Sequence, residues 1–456
     1  MRDFKPHPYQ LLIRDHILEH QRCAVWCGMG MGKSASTLMA LHDLALVEDS
    51  KTLIVAPLRV AKDTWPSETQ KWSQFSGTSI SPICGTLKER MAALGAKTNV
   101  FSTNYEQLPW IVETLGDRWP FTTVVLDEST KVKGFRLRQG TQRAKALGKV
   151  AHTKINRIVE LTGTPAPNGL IDLWAPLWFI DKGQRLGRTF DAFKQRWFAP
   201  HPSGFGVRPL PHASAEIQAL LKDVCITVDP ADWFDLEKPI VNNVMVDLPL
   251  QARKHYREME KAMFTEVAGH EVEAFSAAAK TIKCLQMANG AVYTDGDAWE
   301  EVHDVKLQAL DEIVEEAAGM PVLCAINFKS DRERIQRLFK DACLDVGTDA
   351  GLKAAKAGKG KLWIGHPASM GHGIDGLQEH TNIAAFFGHW WNMEERAQFI
   401  ERIGPVRQMQ AGNKRPVFIH NIVARGTVDE LVMERNESKR EVQEILLEAM
   451  KRKGAK

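Results

Sequence analysis

Short runs of apolar residues recur along the chain in two series, separated by segments whose apolar residues have helical spacing. The first series comprises residues 23–27, 52–56, 99–102, 122–126 and 157–161. The second series comprises residues 322–326, 361–365, 383–387 and 417–423. Runs that are apolar on both faces are typical of buried parallel strands. The pattern therefore predicts an α/β fold with two parallel sheets, each flanked by helices.

Two regions depart from this alternation and set the predicted domain boundaries. Residues 182–299 carry helical patterns at 250–263 and 274–289, and residues 427–456 form a helical pattern that ends in a basic tail. We therefore expect four parts. In chain order they are an N-terminal lobe (1–181), a helical insertion (182–299), a C-terminal lobe (300–426), and a final helix with its tail (427–456).

Composition narrows the class of protein only slightly. The chain has 456 residues and a formal net charge of +3, so its overall charge does not indicate a polyanionic partner. Its seven cysteines include no Cys-x-x-Cys pair, which argues against a disulfide framework and against a zinc site. No apolar run reaches the ~18 residues that a membrane-spanning helix needs. We expect a cytosolic protein that does not enter a membrane.

A glycine-rich segment between the first predicted strand and a predicted helix is the best candidate for phosphate binding. It contains Gly28, Gly30 and Gly32, followed by Lys33 and Ser34. Glycines tolerate positive φ, so the N–H groups of such a turn can point at an anion. Lys33 would then reach the β and γ phosphates of ATP, and the hydroxyl of Ser34 would bind Mg²⁺.

The match to this phosphate-loop pattern has one departure. The pattern has glycine six residues before the lysine, and this chain has Cys27 there. A glycine-rich turn with an incidental Gly-Lys-Ser therefore stays an alternative.

Two predicted strands end in polar residues that suit hydrolysis. The strand at 122–126 runs into Asp127 and Glu128, which would hold Mg²⁺ and orient the attacking water, respectively. An acidic turn is the alternative. The strand at 157–161 runs into Thr162 and Thr164, whose hydroxyls we expect to couple the nucleotide site to a neighbouring lobe and its nucleic acid. A proline-rich loop is the alternative there.

A run of basic residues follows the acidic pair without an intervening acid. It comprises Lys131, Lys133, Arg136, Arg138, Arg143, Lys145 and Lys149. Such a run can neutralise nucleic-acid phosphates without reading sequence, and we take its first four members as nucleic-acid contacts. A solvated basic loop is the alternative. Residues 182–212 interleave basic and aromatic side chains, which suits either a nucleic-acid surface or a brace between lobes.

In this order, the phosphate loop, Asp-Glu-Ser-Thr and Thr-Gly-Thr-Pro-x-x-Asn resemble the motifs of the Swi/Snf-type ATPases of helicase superfamily two. Three segments of the second half resemble later motifs of that family: Gly371-His372-Gly373-Ile374-Asp375, Trp391-Asn392 and Gln398-Phe399-Ile400-Glu401-Arg402. Pro8-Tyr9-Gln10 resembles its adenine-side segment. The resemblance covers roughly residues 4–436 and is strongest to the compact phage and prophage branch.

The resemblance implies two RecA-like lobes with a helical insertion and a cleft that binds ATP and Mg²⁺. The further nucleotide contacts that it implies are Gln10, Gly373 and Gln398. Arg402 would be the cation that neutralises charge on the γ phosphate. The family has a second arginine where this chain has Pro405, so Arg407 either substitutes for it or Arg402 acts alone.

The expected function is an ATP-dependent motor that moves on double-stranded DNA in replication, recombination or repair. Its location would be the cytosol of a bacterial or phage-infected cell. Three alternatives stay open. They are a strand-separating DNA or RNA helicase, a DNA-binding clamp with weak or no ATP turnover, and a phosphate-loop enzyme that acts on a small molecule.

Overall fold

The computed structural model describes residues 1, 3–28, 30–48, 50–200, 206–267, 274–294, 298–370 and 374–449, with side chains outside 261–280 and 441–449. The chain divides into two compact units. The first comprises Met1–Asp235 together with the chain from Lys439 onward, and the second comprises Leu236–Ser438. The basic tail predicted at 451–453 lies outside the described residues.

Most strands of the first unit join one parallel sheet. The strands are β1 (Arg22–Cys27), β2 (Lys51–Ala56), β3 (Ile80–Ile83), β4 (Val100–Asn104), β5 (Phe121–Asp127), β6 (Arg157–Thr162), β7 (Phe198–Pro200), β8 (Val207–Pro209) and β9 (Cys225–Val228). The order in the sheet is β3-β4-β2-β5-β6-β1-β9, and β7 pairs separately with β8 in antiparallel fashion. Because β5, β6 and β1 are neighbours, their carboxyl ends bring the acidic pair, Thr162 and the glycine-rich turn to one edge.

Helices cover this sheet and supply part of its core. They are α1 (Pro8–Glu19), α2 (Lys33–Ala45), α3 (Trp65–Lys71), α4 (Leu87–Leu94), α5 (Leu108–Leu115), α6 (Gln142–Val150), α7 (Trp174–Asp181), α8 (Phe190–Trp197) and α9 (Ala213–Leu221). The aromatic side chains of α7 and α8 pack into the same apolar cluster as the sheet. Residues 182–212 therefore contribute core to the first unit.

The second unit is built on another parallel sheet. Its strands are β10 (Ile240–Val246), β11 (Ala291–Tyr293), β12 (Trp299–Glu301), β13 (Val322–Ala325), β14 (Cys343–Asp345), β15 (Leu362–Gly365), β16 (Ile383–Phe386) and β17 (Phe418–Ala424). The sheet order is β10-β17-β16-β13-β15-β14, while β11 and β12 form a separate antiparallel pair. Apolar clusters pack against this sheet.

The helices of the rest of the chain follow in order. They are α10 (Leu250–Val267), α11 (Ala274–Asn289), α12 (Val305–Glu316), α13 (Lys329–Phe339), α14 (Asp349–Lys356), α15 (Pro367–Met370), α16 (Met393–Glu401), α17 (Pro405–Gln410) and α18 (Val428–Ala449). A buried ion pair of 2.6 Å joins Lys306 at the start of α12 to Asp429 at the start of α18. No described helix combines the length and the apolar character that crossing a membrane requires.

The prediction of two parallel α/β sheets is confirmed, but the boundaries inside the chain differ from those expected. The segment 182–299 is not one helical insertion, because β9 completes the first sheet beside β1 and β10 pairs with β17 in the second. The chain therefore passes from the first unit to the second between Asp235 and Leu236, and it returns to the first between Ser438 and Lys439. Each of these edge strands gains its backbone hydrogen bonds from a partner that is distant in sequence, which a local pattern does not reveal.

Candidate nucleotide-binding site

The glycine-rich turn connects β1 to α2 and takes a backbone shape that needs glycine. Gly30 and Gly32 have φ of 78° and 74°, in the left-handed region that side chains with a Cβ rarely adopt. A Cβ on Gly32 would lie 2.2 Å from Nε2 of Gln10. The turn therefore has both the conformation and the close approach that a phosphate loop requires.

Gln10 lies against this turn, as the expected adenine-side role requires. It is buried in α1, where its Nε2 donates to the carbonyl oxygen of Met31 (3.4 Å) and its Oε1 accepts from the N–H of His7 (2.9 Å). Both polar atoms of its amide group are thus held by hydrogen bonds. Contact between Gln10 and a base stays a prediction.

Lys33 is the first residue of α2 and points back over the end of β1. Its Nζ donates to the carbonyl oxygens of Cys27 (2.7 Å) and Gly28 (3.3 Å). Ser34 follows in the first turn of the helix and is half-buried. The ammonium group of Lys33 is therefore held at the mouth of the turn, where a bound phosphate would replace carbonyl oxygens as its partner.

Asp127 ends β5, close enough to Lys33 for the two charges to interact. Its Oδ2 accepts a 2.9 Å hydrogen bond from Nε1 of the buried Trp65. Burial raises the pKa of Asp127, and the positive charge of Lys33 and the Trp65 hydrogen bond act in the opposite direction. Lys33 thus favours the ionised form of Asp127, and a carboxylate must be ionised to bind a metal ion.

Glu128 is held in a strained and well-anchored turn. Its φ of 64° is left-handed, which costs a non-glycine residue about 1–2 kcal/mol. Its N–H donates to the carbonyl oxygen of Leu161 (2.9 Å), and the hydroxyl of Tyr105 donates to the carbonyl oxygens of Asp127 (2.9 Å) and Glu128 (3.2 Å). Strain that the surroundings hold in place is typical of functional positions.

The carboxylate of Glu128 is fixed by Thr162. The Thr162 hydroxyl donates to Oε1 of Glu128 at 2.8 Å, and the Thr130 hydroxyl lies 3.5 Å from the same oxygen. Glu128 is 7% exposed, and Thr162 is 1% exposed. The carboxylate is therefore oriented within the first unit.

Thr162 and Thr164, which were expected to couple the nucleotide site to a neighbouring lobe and its nucleic acid, are engaged within the first unit. Both side chains are buried, and the Thr162 hydroxyl also accepts from the N–H of Thr164 (3.1 Å). Buried hydroxyls that are engaged in this way do not reach a nucleic acid in this conformation. Their contacts instead tie the Thr-Gly-Thr-Pro segment to Glu128.

A buried acid that the sequence did not single out lies beneath this turn. Glu160 of β6 is 1% exposed, and burial raises the pKa of its carboxyl well above the usual range. A glutamate within an apolar strand was the available sequence signal.

This edge of the sheet offers oxygen donors that suit Mg²⁺. Ser34 offers a hydroxyl and Asp127 a carboxylate. In proteins, Mg²⁺ is usually bound by one or two protein oxygens of this kind, and phosphate and water oxygens complete its coordination. Within the described part of the chain, no group of three His, Cys, Asp or Glu side chains could hold a metal by itself. The residues present therefore fit Mg²⁺ bound together with a nucleotide.

The basic run after Glu128 is only partly available to a ligand. Nζ of Lys133 lies 3.8 Å from Oδ2 of Asp172, and the guanidinium of Arg136 stacks over Phe190 at 3.4 Å from the ring centroid. Lys131 is half-buried, whereas Arg138 is exposed. Of the four predicted contacts, Arg138 is the most accessible.

Three of the aromatic residues predicted to form a nucleic-acid surface or a brace between lobes lie in the core of the first unit instead. Phe193, Trp197 and Phe198 are all buried in the core of the first unit. These three rings are therefore not a stacking platform for bases, and a nucleic-acid or bracing role for Phe190, which is half-buried, stays a prediction.

The predicted arginine finger lies in the second unit and is anchored there. Arg402 is 5% exposed, its Nε donates to the carbonyl oxygen of Gln398 (3.1 Å) and its Nη1 donates to that of Ile374 (2.8 Å). Gln398 is buried and donates to Glu394. Gly373 lies outside the described residues. The roles of these side chains toward a nucleotide stay predictions.

Arg407 has a partner within its own unit. Its guanidinium pairs with the carboxylate of Asp375. Burial acts to raise the pKa of Asp375, but the charge of Arg407 and hydrogen bonds from Gln378 and Gly376 outweigh burial and lower the pKa. This pairing gives Arg407 a structural role independent of ATP.

Comparison with known proteins places these features in a family. The family model described as SNF2-related domain matches residues 23–292, more than half of the chain. Putative protein p41 of Acyrthosiphon pisum secondary endosymbiont phage 1 is 52% identical over 462 residues, covering 99% of this chain and 100% of that protein. An uncharacterized ATP-dependent helicase of Mycoplasma genitalium is 23% identical over 435 residues, covering 91% of this chain and 39% of that protein.

One solved structure is also similar to this chain. The Sulfolobus solfataricus SWI2/SNF2 ATPase core in complex with dsDNA is 20% identical, with a TM-score of 0.46 and coverage of 97% of this chain and 96% of that chain.

A glycine-rich strand-to-helix turn, beside an acidic strand end in a parallel sheet, defines a phosphate-loop nucleotide-binding protein. Within that class, the chain belongs to the SNF2-related domain family. The Swi/Snf-type resemblance predicted from the motif order is confirmed, and the phage relative agrees with the predicted phage-like branch.

Proposed function

We propose that this chain is an ATP-driven motor that hydrolyses ATP at Lys33, Asp127 and Glu128 and moves along double-stranded DNA. Membership of the SNF2-related domain family supports an ATP-dependent, helicase-like activity. The observation that carries the proposal is the arrangement at the carboxyl ends of β5 and β6, where Thr162 orients the Glu128 carboxylate.

The proposal gives each residue of this site a role in ATP hydrolysis. The N–H groups of the glycine-rich turn and the ammonium of Lys33 bind the phosphates. Ser34 and Asp127 would hold Mg²⁺, which neutralises phosphate charge when it is bound. The carboxylate of Glu128 accepts a hydrogen bond from the attacking water and orients it.

Arg402 and Gln398 complete the proposal as the family resemblance implies. Arg402 would neutralise charge that develops on the γ phosphate, and Gln398 would contact the nucleotide. Arg402 must then exchange its present bond to the carbonyl of Ile374 for a phosphate oxygen.

DNA is the proposed track because the first unit carries cations next to the acidic strand end. Arg138 and Lys149 are exposed, and Lys131 is half-buried. Such cations bind phosphates without reading bases, so we expect little sequence preference. Replication, recombination or repair in the cytosol of a bacterial or phage-infected cell is the proposed setting.

The test is the steady-state ATPase rate at fixed salt, measured without nucleic acid and with single-stranded DNA, duplex DNA or duplex RNA. We expect strong stimulation by duplex DNA alone. Stimulation by a single strand or by duplex RNA would favour a strand-separating helicase. A low rate under all four conditions would favour the clamp, and a high rate without any nucleic-acid response would favour a small-molecule enzyme.

A further inference from the structure

The helical segment that follows β2 contains one turn of a different kind. Residues 58–71 are helical, and within them Val60–Thr64 form a π-helix immediately before α3 begins at Trp65. The N–H of Trp65 accordingly donates to the carbonyl oxygen of Val60. A π-turn contains one more residue than an α-turn, so it rotates the side chains that follow it by about 100° relative to a continuous α-helix. Such turns are rare and are frequently found at functional sites.

The π-turn is anchored to a neighbouring strand. The hydroxyl of the buried Ser102, on β4, donates to the carbonyl oxygen of Ala61 at 2.7 Å. Because β4 pairs with β2, this bond ties the turn to the sheet from which the turn emerges. The fold therefore holds the turn in a conformation that a regular helix would not adopt.

The indole of Trp65 is directed at the Asp127 carboxylate. Trp65 is 0% exposed, and its Nε1 donates to Oδ2 of Asp127 at 2.9 Å. The two residues come together because β2 and β5 are neighbours, with Val55 in register with Leu126, so the segment after β2 starts beside the end of β5. A hydrogen bond to one oxygen restricts the rotation of a carboxylate. The bond therefore also fixes the direction of the second oxygen.

We propose that Trp65 is a positioning residue, which holds the Asp127 carboxylate in the direction that a magnesium ligand needs. This role rests on the proposed nucleotide site, in which Ser34 and Asp127 would hold Mg²⁺. Trp65 is not itself a ligand, because an indole nitrogen only donates. Groups that hydrogen-bond to metal ligands orient those ligands and raise the affinity for the metal. The π-turn, which Ser102 anchors, brings the indole to its partner.

The experiment measures the Kd of a fluorescent, non-hydrolysable ATP analogue in Mg²⁺ and in EDTA, without nucleic acid. In the wild type, Mg²⁺ should lower this Kd. Trp65→Phe keeps an aromatic ring but removes the N–H. We expect its Kd in EDTA to match the wild type, because the glycine-rich turn is untouched. Its Kd in Mg²⁺ should rise about 10-fold, the lower end of the roughly 10- to 100-fold loss that follows removal of a group that orients a metal ligand.

Three further variants separate positioning from damage to the core. Trp174→Phe is the matched control, because Trp174 is equally buried in the same unit but its Nε1 donates to the carbonyl oxygen of Gly187 (2.8 Å). It should lower the thermal midpoint as Trp65→Phe does and keep both wild-type Kd values. Ser102→Ala should raise the Kd in Mg²⁺ by a smaller factor than Trp65→Phe. In the Asp127→Asn background, Trp65→Phe should have no further effect on the Kd in Mg²⁺, since Trp65 acts through Asp127.

The outcomes are distinguishable. If Trp65→Phe keeps both wild-type Kd values or raises both equally, or if Trp174→Phe also loses the effect of Mg²⁺, the positioning role is overturned while the proposed function stands. Should Trp65→Phe not fold, Ser102→Ala decides, and an unchanged Kd in Mg²⁺ overturns the role. A wild-type chain that binds no analogue in either buffer, and has no turnover under any of the four nucleic-acid conditions, overturns the proposed function and this role with it.

Discussion

The hydroxyl of Thr162 donates a 2.8 Å hydrogen bond to Oε1 of Glu128, and both residues lie at the carboxyl ends of the paired strands β6 and β5. A carboxylate that orients water must have a fixed direction, and this bond provides it within one lobe. The Thr-Gly-Thr-Pro segment thus has a direct part in the proposed hydrolysis.

Replacing Thr162 by valine removes this bond and keeps the shape of the side chain. We expect kcat for ATP to fall about 10-fold or more, because Glu128 loses its orientation. The affinity for ATP should stay the same, since the phosphate loop is untouched. Thr153→Val, which alters an exposed threonine of the same unit, is the matched control. A Thr162→Val protein with the wild-type kcat would show that the bond has no part in turnover.

Lys33→Ala should abolish ATP turnover. The substitution removes the cation that would bind the β and γ phosphates, and it also removes the charge that favours ionised Asp127. ATP binding and hydrolysis should both be measured, with Lys88→Ala as a control in which an exposed lysine of the same unit is lost. Turnover close to wild type would mean that the glycine-rich turn is not a phosphate loop.

Glu128→Gln should separate binding from hydrolysis. The amide keeps the size of the side chain and can still accept from Thr162, but it lacks the negative charge that polarises the water. We expect nearly unchanged ATP affinity, measured by a fluorescent nucleotide, and hydrolysis reduced to the background rate. If the variant hydrolyses ATP near the wild-type rate, another residue activates the water.

The sequence predicted the strands well where apolar runs were continuous. The run at 23–27 corresponds to β1 (Arg22–Cys27), and the run at 157–161 corresponds to β6 (Arg157–Thr162). It did not predict β9, which has four residues and pairs with β1 about 200 residues earlier in the chain. Edge strands of this kind depend on a distant partner, and local periodicity contains no information about that partner.

In the site, as in the fold, features formed by consecutive residues could be predicted, and contacts between distant residues could not. The phosphate loop and the acidic pair could be predicted because their chemistry lies in consecutive residues. The contacts that orient Glu128 could not, because they depend on the alignment of β5 with β6 and on the position of Tyr105. Thr162 was accordingly identified as a functional residue, but its hydrogen bond to Glu128 was not predicted.

Arg402 and Arg407 should differ in their effect on turnover. Arg407 pairs with Asp375, so Arg407→Ala should leave most of the ATPase rate and lower the stability of the second unit slightly. Arg402→Ala should reduce kcat by about 10³-fold or more, the effect of losing an arginine finger. Because Arg402 also bonds to the Ile374 carbonyl, circular dichroism should confirm that this variant is folded. Equal losses in both variants would indicate two fingers.

The buried His303 makes the stability of the second unit depend on pH. Its Nε2 lies 2.9 Å from the carbonyl oxygen of Met287, which can only accept, so Nε2 carries the proton of a neutral ring. Burial lowers its pKa from 6.5 to about 4, and the charges of Arg334 and Lys306 act in the same direction. As pH falls, His303 therefore binds a proton at a higher pH in the unfolded chain than in the folded chain. This contribution to stability is complete above pH 6.5 and is lost as pH falls toward 4, by at most about 3 kcal/mol.

His303→Gln should remove this pH dependence, because glutamine can still donate to Met287 but does not titrate between pH 7.5 and 4.5. We expect the urea midpoint of the wild type to fall more steeply over this interval than that of the variant. Part of the slope will remain, since burial also lowers the pKa of His389 to about 4. His255→Gln, which replaces an exposed histidine of the same unit, should keep the wild-type slope. Equal slopes in His303→Gln and wild type would mean that His303 has the same proton affinity in the folded and unfolded chains.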